Sequence, residues 1–117
     1  MENKISLIMS IVNSGYSDKV MEVAKNKGAK GGTVINAIGS AGSNAQKLYG
    51  IDINPEKEVI MIIIPSNLST KILQALYEEL GPNTDAKGIA FSLPVEDATS
   101  NLTMQINNKT ESKEKTE

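Results

Sequence analysis

Between Gly28 and Gly42 the chain reads GAKGGTVINAIGSAG, with five glycines set around a short β-prone run. Glycine lets the backbone turn tightly or approach a ligand closely, and successive N–H groups in such turns form concavities that hold anions. Gly28 fits a helix cap and Gly31–Gly32 a turn, whereas Gly39 and Gly42 stand at the mouth of a long polar segment where a ligand can come in. All twelve basic residues are lysines, so anions must be met by ammonium groups, backbone N–H groups or hydroxyls rather than by a guanidinium fork. There is no Cys and no His, which excludes thiol chemistry, imidazole acid–base catalysis and the zinc, iron–sulfur and haem sites built on those side chains. Asp85 and Lys87 are close in sequence, but no nucleophile–base pattern accompanies them. Glu78 and Glu79 read as a solvated helix face. The expectation is a binding protein, not an enzyme, with no metal and no catalytic residue.

A length of 117 residues fits one domain, and 39% hydrophobic with 22% charged residues fits a soluble globular chain. A net charge of −2 and a pI near 5.2 oppose binding to a phosphate backbone, so no nucleic acid is expected. The first residues, MENKISLIMSIV, are too short and too polar a run for a signal peptide or membrane span, and a cytoplasmic location is expected.

The elements that must carry these residues follow from periodicity. Ile5–Val12 alternates as a strand with Ile5, Leu7, Met9 and Ile11 on its strongly apolar side. Ser17 is expected to cap a helix in which Val20, Val23, Ala24 and Lys27 recur, closed by Gly28. Thr33–Ile38 is a second strand, and residues 40–57 form a long loop. Glu58–Pro65, EVIMIIIP, is apolar without interruption, as in a strand buried on both faces. A second helix steps through Leu68, Ile72, Leu76 and Leu80, with Ser66 or Ser69 as its cap and Gly81-Pro82 as its end. Ile89, Phe91, Leu93 and Val95 then alternate in a fourth strand, and NLTMQI (101–106) is a further edge strand before a disordered polar end.

This order, β-α-β-β-α-β, is the ferredoxin-like α+β sandwich: an antiparallel sheet with two helices on one face. The ferredoxin-like domain is expected over 1–95 and the polar tail over 96–117. In the third strand Val59, Met61 and Ile63 point one way and Ile60, Ile62 and Ile64 the other, and Ile8 and Val12 are expected on the face that the helices leave bare. A bare apolar sheet face is unusual on a soluble monomer, so other copies of the chain are expected to cover it. RNA-recognition domains share this topology but stack bases on aromatic residues of the central strands, and VIMIII has none.

With that topology in place, GAKGGTV (28–34), the long loop, PEKE running into the apolar strand to Pro65, and GIAF (88–91) together resemble the PII signal-transduction family. The similarity runs from about Ile5 to Val95 and is closest to the PII-like branch, whose T-loop is shortened and divergent. The resemblance implies a homotrimer with an adenine nucleotide (ADP, AMP or ATP) as effector in its intersubunit clefts. It also implies a T-loop, here 40–57, that docks on a regulated protein such as a membrane transporter. It places Gly32, Thr33 and Val34 along the adenine, Gly39, Ser40 and Gly42 at the opening of the T-loop, and Lys57 at the lysine that closes the 2-oxoglutarate site. It puts the turn 85–89 around the phosphates, with Lys87, Gly88 and Ile89 there and Lys87 standing in for the family's lysine at the position of Ile89. The family's arginines have no counterparts, and Met61 stands where a carboxylate serves the nucleotide. A hydrogen bond to a charged group contributes about 1.5–3 kcal/mol, so a ligand less charged than a triphosphate is expected. The alternative is a ferredoxin-like oligomeric protein-interaction module that has lost nucleotide binding.

Overall fold

Four antiparallel strands and two helices emerge in the expected order in a computed structural model, which describes residues 4–40 and 56–99. They are β1 (Ile5–Asn13), α1 (Ser17–Asn26), β2 (Thr33–Ile38), β3 (Glu56–Pro65), α2 (Ser69–Leu80) and β4 (Ile89–Val95), with a 3-10 turn at Ser66–Leu68 leading into α2. The sheet order β2-β3-β1-β4 puts the two longest strands at the centre and leaves β2 and β4 as edges. This is the ferredoxin-like sandwich expected from the sequence. β3 begins two residues earlier than expected, so Glu56 and Lys57 belong to the strand. Gly42 and the 101–106 segment lie outside the described residues.

Both helices pack on one face. There Ile8 and Val12 of β1 meet Ile60, Ile62 and Ile64 of β3, Val20, Val23 and Ala24 of α1, and Ile72, Ala75, Leu76 and Leu80 of α2. Each fully buried Ile, Val or Leu contributes about 1.5–3 kcal/mol, so this layer is the main source of stability. The expectation for β1 is overturned: Ile8 and Val12 lie beneath the helices at 0% exposure, not on the bare face. The inward side of β1 is Ser6, Ile8, Ser10 and Val12, its less apolar side. Buried serines fit because they are small, and Ser6 shares a 2.7 Å hydrogen bond with the Ser66 hydroxyl.

The opposite face is almost wholly apolar. Register aligns Leu7 with Ile63 and Leu93, Met9 with Met61 and Phe91, and Ile11 with Val59 and Ile89. Thr33 and Ile35 extend the last two rows onto β2. Ile63, Phe91, Leu93, Ile35 and Ile89 are 37%, 39%, 44%, 45% and 59% exposed there. The apolar patch expected from the sequence exists, composed of different β1 residues.

Three caps differ from expectation. Ser17 is the first residue of α1, not its cap, and its hydroxyl faces Glu58 of β3. Neither Ser66 nor Ser69 caps α2: Leu68 occupies that position, Ser66 is engaged with Ser6, and the Ser69 hydroxyl is buried without a partner. Gly81 ends α2 at φ −76 and so is no left-handed cap. The final carbonyl of α2, on Leu80, instead accepts the Gly88 N–H at 2.9 Å. Gly28 behaves as expected. It has φ +110, and the bonds from Gly28 N–H to Lys25 O (3.0 Å) and from Ala29 N–H to Ala24 O (3.1 Å) form a Schellman closure.

Candidate functional site

Antiparallel pairing brings four chain segments to one end of the sheet. They are the end of β1 at Asn13, the end of β2 with Gly39 and Ser40 just beyond it, the start of β3 at Glu56–Lys57, and the turn that enters β4 at Lys87–Ile89. Asn13 lies opposite Lys57 in the β1–β3 ladder, and its Oδ1 accepts a hydrogen bond from the Lys57 ammonium. Its Nδ2 donates to the carbonyl of Asp85 at 3.0 Å, and its backbone N–H to that of Ala86 at 2.8 Å. The 81–88 turn is thereby fastened to the centre of the sheet.

Lys87 is the one described non-glycine residue with positive φ, +49, and its side chain is exposed. Its N–H bonds to Thr84 O at 3.0 Å. The N–H of Gly88 is directed at Leu80 O and Gly81 O (3.2 Å), so it is already used inside the turn. Gly88 must be glycine for packing reasons, since a Cβ there would lie 2.1 Å from Leu80 O and 3.1 Å from a Val12 methyl. Ile89 opens β4 on the apolar face, opposite Ile11.

The Gly32–Val34 group lies elsewhere. Gly32 passes so close to β3 that a Cβ would stand 2.8 Å from Met61 O. Thr33 pairs with Met61 and is exposed on the apolar face, and Val34, opposite Ile60, turns to the helical side. Strand rise puts Thr33 about 17 Å along β2 from Ile38, and strand spacing puts the β2 edge about 14 Å from β4. Within one chain, Gly32–Val34 and Lys87–Ile89 therefore occupy opposite edges of the sheet.

Sequence reasoning passed over two residues. Asn13 is hidden in an ordinary turn signal, NSGYS. Glu58 sits at the start of an apolar strand, yet its carboxylate accepts the Gly15 N–H at 2.7 Å and the Ser17 N–H and hydroxyl at 3.3 Å each. It is the anionic cap of α1, supplied from another element, where it meets the positive end of the helix dipole. Among the described residues no cluster of acidic side chains could hold a metal, and no helix is long and apolar enough to cross a membrane.

Fold and site geometry together define a ferredoxin-like sandwich with a polar, lysine-bearing end and an open apolar sheet. The family model for nitrogen regulatory protein P-II matches residues 5–103, and the chain belongs to that family. It is a signalling protein of regulatory, non-enzymatic type. Among solved structures, it is similar to a PII-like signalling protein of Thermus thermophilus, at 25% identity over 80% of this chain and 87% of that one, with a TM-score of 0.61. CPII of Thiomonas intermedia, bound to ADP, AMP and acetate, is 15% identical over 81% and 91% of the two chains, with a TM-score of 0.57. The B. subtilis GlnK–ATP complex is 13% identical over 87% and 92%, with a TM-score of 0.63. No curated protein matches the sequence.

Proposed function

We propose that the chain is a PII-like regulator that assembles as a homotrimer and binds an adenine nucleotide where two copies meet. The observation that carries this reading is the division of the nucleotide-site residues between the two edges of the sheet. One edge holds Gly32, Thr33 and Val34, and the other Lys87, Gly88 and Ile89. Setting the β2 edge of one copy beside the β4 edge of the next brings both sets to one cleft. Three copies joined in this way around a threefold axis would turn their apolar faces, with the rows around Met61 and Phe91, toward one another and away from water. Nucleotides in the CPII and GlnK structures support the choice of ligand.

In this reading Thr33 offers a hydroxyl to the edge of the adenine, and Lys87 supplies positive charge for the phosphates. Lys57, at the position of the 2-oxoglutarate lysine, adds to the positive field at the same end of the sheet. Without arginine the site favours ADP or AMP over ATP. The ligand would bias the segment 40–55, which ends where β3 begins, between arrangements, and that segment would act on a partner protein, a membrane transporter being the class proposed, in the cytoplasm. Such bias requires unequal affinity for two loop states. Residues 1–95 form the regulatory domain and 96–117 a polar tail.

Calorimetry with ADP, AMP and ATP, on protein whose trimeric state is established by sedimentation, tests the reading. Saturable heat with ADP or AMP supports it, and none with any of the three removes it. A second reading is favoured by two observations: the chain has no arginine, and the Gly88 N–H is already bonded. On that reading the chain is an oligomeric interaction module without a ligand, and a trimer that gives no heat is its signature.

A further inference from the structure

Asn13 joins three things at once: the end of β1, the start of β3 through the Lys57 ammonium, and the turn before β4 through the Asp85 and Ala86 carbonyls. The joint needs a side chain that donates and accepts together, and a primary amide is the group that does both at this length. Alanine does neither, and aspartate only accepts. The partner is also neutral. Lys57 is half-buried, and among the described residues no ion pair compensates its charge. A carboxylate at residue 13 would orient the ammonium equally well but cancel its field.

We propose that Asn13 is a positioning residue with two effects. It makes the start of β3 and the 81–88 turn a single mechanical unit, and it presents Lys57 as an oriented, uncancelled charge toward an anionic ligand at this end of the sheet. The first effect is independent of any ligand; the second rests on the nucleotide reading above.

The test uses the full chain and NMR amide exchange. Lys57→Met removes one arm of the joint without touching the turn. It is expected to speed exchange of the Asn13 and Lys87 amides, which bond to the Ala86 and Thr84 carbonyls, by about tenfold through local opening. In an Asn13→Ala background the same substitution should add nothing. Exchange that stays within about twofold of wild type in Lys57→Met overturns the joint. Because that substitution is conservative, it carries the test even if Asn13→Ala fails to fold.

For the second effect, Asn13→Asp is compared with Asn13→Ala, since both lose the bond to the Asp85 carbonyl but only the aspartate cancels the ammonium charge. Asn13→Asp is expected to bind ADP about tenfold more weakly than Asn13→Ala, the scale of one lost charged contact. Equal affinity in the two variants overturns it. If wild-type protein gives no heat with ADP, the nucleotide reading and the second effect fall together, and the exchange experiment still decides the first.

Discussion

The backbone of Gly88 passes so close to Leu80 that a β-carbon at residue 88 would stand 2.1 Å from the Leu80 carbonyl oxygen. That contact closes α2 against the entrance to β4, and the Gly88 N–H bonds to the same oxygen. Gly88→Ala must push a backbone atom aside, and overpacking of this kind costs about 1–3 kcal/mol. A domain this size loses about 4–8 °C of melting temperature for each kcal/mol. A calorimetric melt showing Gly88→Ala within the error of wild type would contradict the contact.

Lys87, one residue earlier, holds positive φ without being glycine. Lys87→Gly removes the steric penalty at that position but raises the entropy of the unfolded chain, so stability should stay within about 1 kcal/mol of wild type. Its affinity for ADP should nevertheless fall about tenfold, because an ammonium contact is lost. Titration calorimetry and denaturant melts on the same sample separate the two quantities. Unchanged affinity would take Lys87 out of the ligand site.

Glu58 should behave as a helix cap. Glu58→Ala leaves the Gly15 and Ser17 N–H groups without their carboxylate and should cost about 1–2 kcal/mol. Glu58→Gln keeps an acceptor and should lose less. Urea unfolding monitored by circular dichroism ranks the three proteins, and equal midpoints would mean that water replaces the carboxylate without cost.

The apolar face predicts association. Wild-type protein should sediment as an oligomer at micromolar concentration, while Leu93→Asp, which places a charge in the row with Leu7 and Ile63, should sediment as a folded monomer. A monomeric wild type under those conditions would leave these exposed residues without a partner and remove the intersubunit cleft.

Much of this architecture is written in local pattern. The β3 run VIMIII announces a strand apolar on both sides, and it lies at the centre of the sheet. The four-residue step from Ile72 through Leu76 to Leu80 announces the buried stripe of α2. Helix ends were harder to read because their partners are distant in sequence: Glu58 lies 41 residues from Ser17. The joint at Asn13 was invisible for the same reason, since it lies 44 residues from Lys57 and 72 from Asp85.

The amino-acid order alone determined the type and succession of the described strands and helices, and that the sheet is apolar on both faces, because alternation and helical spacing are properties of neighbouring residues. Tertiary structure decided which face of β1 turns inward. Leu7, Met9 and Ile11 form the greasier side, yet Ile8 and Val12 lie under the helices. Pairing with β3 aligns Ile8 with Ile62 and Ser10 with Ile60, and one face must be shared by the whole sheet. The helices dock on the side where small serines leave room, and the bulkier side remains open.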